Sequence, residues 1–251
     1  MKHKAFHKLS YGLYIVASEF EGQKAGYIGN TVFQVTSDPP QLAISCHKKN
    51  ETAGIILKSG VFSVSVLKQT ASTSLIGEFG FMSSSDIDKF ARVRWEKSLS
   101  GAPVVLDSSL AWFDCRVVQS HDAGTHMLII GEVLDSCVTD EGEPLTYEYY
   151  REKYKMLSPK NAPTYIDKAL LDAEEEAGKP DNTKLPEDNA ATELSDDDQE
   201  PFICVICGFV YRPEEGDASS GIPPGTPFSE VPEDYRCPIC NAGKDYFKPL
   251  M

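Results

Sequence analysis

The 251-residue chain predicts a mainly β protein: a barrel-like domain followed by a small module stapled by a four-cysteine metal site. Three observations carry this. Short runs rich in β-branched and aromatic residues, bounded by Gly, Pro, Asp or Ser, fill the first 166 residues. Two pairs, Cys204-x-x-Cys207 and Cys237-x-x-Cys240, lie near the C-terminus. Between these regions runs an acidic segment, residues 167–200, without one aromatic side chain. The expected division is therefore a domain over 1–166, a flexible linker over 167–200 and a module over 201–251.

In the first domain, strands are expected over residues 13–17, 41–46, 61–67, 111–119 and 126–137. Within Val61–Leu67, Phe62, Val64 and Val66 alternate with Ser63 and Ser65, the pattern of a half-buried strand. Residues 50–59 read as one short helix, with Asn50 as N-cap, Ile55, Ile56 and Leu57 as its apolar part and Gly60 as its stop. The run Ser-Cys-His-Lys-Lys-Asn-Glu-Thr over 45–52 leaves a strand and enters this helix. Its hydroxyls, lysines and open helix N–H groups suit a phosphate dianion, although a solvated turn is the plain alternative. No G-x-G-x-x-G follows a strand, so no Rossmann nucleotide site is signalled.

The net charge of −14 is unevenly spread. Residues 1–166 carry 17 basic and 18 acidic side chains, residues 167–200 carry 3 and 13, and residues 201–251 carry 4 and 7. Most of the excess therefore belongs to the middle segment, whose polarity marks a solvated linker. A short helix over 167–177 is the one element expected there, stopped by Gly178 and Pro180. This acidity argues against nucleic-acid binding, which needs a basic footprint. No stretch has the apolar length of a membrane span and the first residues lack a signal-type core, so a cytoplasmic protein is expected. Cys46, Cys115 and Cys137 are dispersed, and reduced thiols are expected.

Four thiolates at tetrahedral corners suit iron or zinc. Zinc ribbons place roughly 15–20 residues between such pairs, whereas residues 208–236 intervene here. Gly208, after Cys207, can take a positive φ and aim backbone N–H groups at sulfur. The run FICVICGFVYRPEEGDASSGIPPGTPFSEVPEDYRCPICNAGKDYF, residues 202–247, resembles a rubredoxin from end to end. The resemblance implies one iron held by Cys204, Cys207, Cys237 and Cys240, with a zinc-loaded structural knuckle as the alternative. It also implies a small core of Phe202, Phe209, Tyr211, Phe228, Tyr235 and Phe247, under an apolar rim of Ile206, Ile239 and Ala242. Tyr235 stands where the family usually has Trp, and Asn241 where it usually has Gly.

The segments GNTVFQVTSDPPQLAISCHKKNETAGIILKSGVFSVSVL, GTHMLIIGEVLDS and PLTYEYY resemble the flavin reductase-like family, whose fold is an FMN-binding split β-barrel. The resemblance implies that Asn30, Thr31 and Gln34 face the flavin ring, while Ser45, Cys46, Lys49, Asn50 and Thr52 hold the ribityl and phosphate groups. Read without it, Asn30 and Thr31 are a turn between strands and Cys46 is a small buried residue. His126 opens a strand in the segment the family writes as His, a few apolar residues, then Gly-x-Val, which implies a place beside the flavin where a nicotinamide could lie. A structural His is the alternative. Tyr165 would cover a flavin edge, in a homodimer built around the cofactor, or simply end the domain.

A flavin reductase-like domain followed by a rubredoxin is the arrangement of the high-molecular-weight rubredoxins. The resemblance implies an NAD(P)H-dependent oxidoreductase that passes electrons through FMN to iron and on to a redox acceptor, often a flavodiiron protein reducing dioxygen or nitric oxide. Two alternatives stay open: a flavin reductase supplying reduced FMN to a monooxygenase, and a redox or nitric oxide sensor.

Overall fold

The computed structural model describes residues 2–85, 87–154, 162–165, 200–204, 209–238 and 242–250. The chain divides into two compact units, Leu9–Tyr165 and a second comprising Met1–Lys8 with Ile166–Met251. A 3-10 helix, His3–Lys8, lies near the N-terminus. The expected linker and its helix lie outside the described residues, Glu200 excepted. Among the described residues no helix is long and apolar enough to cross a membrane.

The larger unit is built on seven strands: β1 Tyr14–Phe20, β2 Gln23–Gly29, β3 Val32–Ser37, β4 Pro40–His47, β5 Val61–Leu67, β8 Ser109–Ala123 and β9 His126–Val138. A two-stranded ladder of β6 Trp95–Lys97 and β7 Pro103–Val105 lies apart, and three helices complete the unit: α1 Glu51–Ser59, α2 Thr73–Phe81 and α3 Tyr147–Tyr154. The sheet order is β2-β1-β5-β8-β9-β4-β3. All neighbours are antiparallel, and β1 joins β2 through Glu21-Gly22, both at positive φ (50° and 83°), the geometry that matches strand twist in a tight hairpin.

The ladder is not closed, because β2 and β3 remain edges, so "barrel" describes its curl rather than a continuous ring. What draws the ends together is side-chain packing. Val16, Tyr27, Ile44, Phe62, Cys115 and Ile129, from six strands, share one core with Ala53 and Ile56 of α1, and the Tyr27 hydroxyl donates to the Ser45 carbonyl at 3.3 Å. On the other face of β1, Ile15 and Ala17 pack with Leu75, Ile76 and Phe79 of α2.

The helix over 50–59 forms as its caps demand: Asn50 accepts from Thr52 N–H, and Gly60 sits at φ 71°, donating to Ile56 O. Strand β5 differs from expectation. Ser63 and Ser65 are fully buried, so this strand is covered on both faces, and Ser63 Oγ donates to Pro103 O of β7. The alternation gave the faces and could not say that both were occupied. Strands β2 and β3 and helix α2 were not foreseen: β2 is rich in Gly, Gln and Lys, and α2 carries two glycines.

In the second unit, β10 Phe202–Cys204 lies between β11 Val210–Tyr211 and β12 Phe247–Pro249. The six expected aromatics do form one cluster. Phe228 stacks on Phe202 at 4.3 Å and meets Tyr211, Tyr235 and Phe247 at 5.1–6.3 Å, while Phe209 meets Phe247. Tyr235, in the place of the usual Trp, spends its hydroxyl on buried Asp217 at 2.9 Å.

Candidate functional site

Strand β4 carries the first site because its side chains alternate. Leu42, Ile44 and Cys46 enter the core, whereas Ser45 and His47 face a pocket. The polar part of its wall is Asn30, Ser45, His47 and Asn50. The apolar part comes from Leu13, Tyr27 and Ile28, from Ile76 and Phe81 of α2, and from Tyr147 and Tyr150 of α3. Ala162 and Pro163 complete the wall, fastened where Asn30 Nδ2 donates to Thr164 Oγ1 at 2.6 Å.

The turn from β4 into α1 is tightly held. Asn50 N–H donates to His47 O at 2.8 Å, Lys49 N–H donates to His47 Nδ1 at 3.1 Å, and Lys48 N–H donates to Thr125 O. Lys48 Nζ is committed to Asp122 at 2.6 Å. The exposed Lys49 ammonium has no ion pair among the described residues, which leaves a cation at a helix N-terminus beside a polar pocket.

Of the residues singled out from sequence, Asn30, Ser45 and Asn50 line this pocket. Thr31 adjoins it, donating to Asn30 Oδ1 at 3.2 Å, and Lys49 stands at the turn. Tyr165 ends the segment whose preceding residues line the wall, its N–H donating to Ala162 O. Gln34, Cys46 and Thr52 do not line the wall. Gln34 is exposed on edge strand β3 and donates to Thr36 O at 3.3 Å. The Cys46 thiol is in the core, where burial pushes it up to about 12 against a hydrogen bond from Tyr27, so it is inert and only its backbone adjoins the site. Thr52 is fully buried and its hydroxyl has no hydrogen-bond partner among the described residues.

His126 is not itself part of the wall; it pairs with His47 across the β4–β9 ladder, ring centroids 4.8 Å apart and edge to face. Its Nδ1 shares a hydrogen bond with Thr125 Oγ1 at 2.8 Å. The sequence reading passed over His47, Tyr27, Phe81, Tyr147 and Tyr150. For His47 a signal existed: it stands two residues after Ser45 on a strand, hence on the same face.

The second site begins with Cys204 and Cys237, both buried; Cys207 and Cys240 lie outside the described residues. The two cysteines have matching surroundings. Cys204 N–H donates to Phe209 O and Cys237 N–H to Ala242 O, each at 2.8 Å and each five residues on. Ile203 pairs with Val210, and Arg236 with Gly243, each seven residues on. Two such equivalent loops suit a centre that receives two thiolates from each. Of the predicted rim, Ala242 is partly exposed, and Ile206 and Ile239 lie outside the described residues.

A curled antiparallel sheet with a polar pocket at a helix start, followed by a two-loop cysteine module, defines a two-part protein with a small-molecule pocket and thiolates suited to a metal. Residues 6–158 match the flavin reductase like domain and residues 201–247 match rubredoxin. The chain is 41% identical over 250 residues, spanning 100% of both sequences, to the high molecular weight rubredoxin of Moorella thermoacetica. It belongs to the high-molecular-weight rubredoxin family, an oxidoreductase with a flavin domain and an iron-binding rubredoxin domain. It is also 42% identical over 167 residues, 66% of this chain and 99% of the relative, to a ferric-chelate reductase (NAD(P)H) of Archaeoglobus fulgidus. The crystal structure of nitrilotriacetate monooxygenase component B from Mycobacterium thermoresistibile superposes with a TM-score of 0.52 at 28% identity, covering 59% of this chain and 80% of that one.

The residues present fit both groups. The uncommitted Lys49 ammonium and the polar wall suit a phosphate-bearing flavin, and the buried cysteines suit a soft metal.

Proposed function

We propose that the chain takes electrons from NAD(P)H into FMN held in the pocket, moves them to the four-cysteine iron, and delivers them to a protein acceptor such as a flavodiiron oxygen or nitric oxide reductase. The observation that carries this is the presence of both domains in one chain whose full length aligns with a high-molecular-weight rubredoxin. A flavin accepts electrons in pairs and an iron centre carries one, so the pair converts two-electron into one-electron traffic. Lys49 would hold the phosphate, Ser45, Asn50 and Asn30 would orient the cofactor, and His126 would stand near the nicotinamide. Phe81, Tyr147 and Tyr150 give the pocket an apolar wall that limits water. Edge strand β3, with Phe33 and Val35 about half exposed, supports a homodimer.

The test is an absorption spectrum of the protein before and after anaerobic NADH. Flavin and thiolate-to-iron bands that both bleach are expected; stoichiometric zinc without iron, in protein from its native host, would refute the electron path. Lys49→Ala should weaken FMN by about 1–3 kcal/mol, one charge-assisted hydrogen bond, and leave riboflavin nearly unaffected. Equal losses for both would mean the phosphate lies elsewhere.

A second reading is favoured by the Archaeoglobus fulgidus relative, 99% of whose length aligns with 66% of this chain. On that reading the first domain also serves small acceptors, ferric chelates or free flavin, without the iron module. Ferric-chelate reduction that survives loss of the iron would support it.

A further inference from the structure

We propose that His47 is the positioning residue of the phosphate turn: as a neutral imidazole it holds the Lys49 N–H on Nδ1 and so fixes Lys49 and Asn50 at the start of α1. This rests on the reading of the pocket as the FMN site.

Two bonds tie the turn to this one residue. The His47 carbonyl takes the Asn50 N–H at 2.8 Å, and ring Nδ1 takes the Lys49 N–H at 3.1 Å. Asn50 in turn caps α1 by accepting from Thr52 N–H at 3.0 Å. His47 also lines the pocket beside Ser45 and Asn50. His47 therefore touches both the space for the flavin and the turn for its phosphate.

An imidazole that accepts at Nδ1 carries its proton on Nε2. Protonation turns Nδ1 into a donor facing another donor, so the Lys49 bond is lost and the turn is released. The groups around the ring favour the neutral form. His126 on β9 meets it edge to face, Lys49 stands in the turn, and Tyr27 of β2 with Tyr147 and Tyr150 of α3 line the same pocket. The nearby Lys48 is neutralised by Asp122 of β8, and no carboxylate lines the pocket among the described residues. Burial first, then the charges of His126 and Lys49, hold His47 below the ordinary imidazole range.

The experiment measures FMN and riboflavin affinity by flavin fluorescence quenching on the full chain, between about pH 5.5 and pH 8 where an imidazole changes charge. His47→Ala should weaken FMN about tenfold, the loss of one hydrogen bond that orders the turn, with riboflavin nearly unaffected. His47→Asn can still accept the Lys49 N–H through Oδ1, in an Asx turn, and does not titrate. It should bind FMN like the wild type at the alkaline end and lack the wild type's extra loss on acidification. The FMN phosphate itself changes charge near about pH 6, but both proteins share that effect and it cancels in their difference. His126→Gln removes the imidazole that meets the His47 ring and helps hold it low, and should shift the wild-type acid loss to higher pH.

Two results overturn the proposal: His47→Ala binding FMN as well as the wild type while Lys49→Ala still discriminates FMN from riboflavin, or His47→Asn keeping the wild-type pH profile. If Lys49→Ala weakens FMN and riboflavin alike, the phosphate reading itself fails and the role of His47 falls with it.

Discussion

Asp217 should hold the iron module together through a carboxylate buried far from the metal loops in sequence. It caps the 3-10 helix Ala218–Ser220 by accepting from the N–H and Oγ of both Ser219 and Ser220, and it takes a fifth bond from the Tyr235 hydroxyl. Asp217→Ala deletes a helix cap, costing about 1 kcal/mol, and leaves a buried phenol without an acceptor, costing about 1–3 kcal/mol more. Tyr235→Phe removes one donor from a carboxylate that keeps four, at about 0.5–1.5 kcal/mol. In the double variant no phenol is orphaned, so its cost should fall short of the sum by about 1 kcal/mol or more. The assay is anaerobic urea unfolding of the full chain at fixed free iron(II). Both tryptophans, Trp95 and Trp112, lie in the first domain, so their emission reports that domain while thiolate-to-iron absorption reports the module. Only the iron transition should move. Strict additivity, or a matching shift in tryptophan emission, would refute the reasoning. Acid supplies a check of sign. Burial raises the Asp217 carboxyl, but bonds from Ser219, Ser220 and Tyr235 outweigh it and hold it below the usual carboxylate range. Its stabilisation is therefore complete above about pH 4 and is lost as pH falls through the lower folded value, a dependence Asp217→Asn should lack.

Gly131→Ala would drive a methyl group to 2.5 Å from the Phe62 ring and 2.9 Å from Cys115 Cβ, so the tryptophan transition should lose about 1–3 kcal/mol by overpacking and the iron transition none. Cys237→Ser should unload iron and unfold the module, because metal binding and folding are coupled there, while NADH-driven flavin reduction continues; retained iron absorption would count against its role as a ligand. Separated halves at micromolar concentration should reduce iron more slowly than the intact chain, whose linker holds the centres at up to about millimolar effective concentration. Equal rates, with iron reduction limiting, would deny the linker a kinetic role.

The amino-acid sequence by itself determined what local rules and spacing can carry. The caps of α1 follow from Asn50 and Gly60, whose backbone needs are met within one turn of the chain. The aromatic core of the small module follows from composition, since about 50 residues offer few other ways to bury surface. The cysteine spacing and the resemblance together supplied the two centres. Tertiary structure decided which face of each residue was used. Cys46 and Thr52 stand within the phosphate-like run, yet the strand's alternation and the helix's inner stripe turn both into the core, while His47, passed over, faces the pocket. Ser63 and Ser65 look solvent-facing in sequence and are buried, Ser63 against Pro103 of distant β7. Tyr147, Tyr150 and Phe81 reach the pocket only because α2 and α3 pack beside β4's open face. A local pattern fixes the period of a strand or helix; what lies against each face depends on segments a hundred residues away.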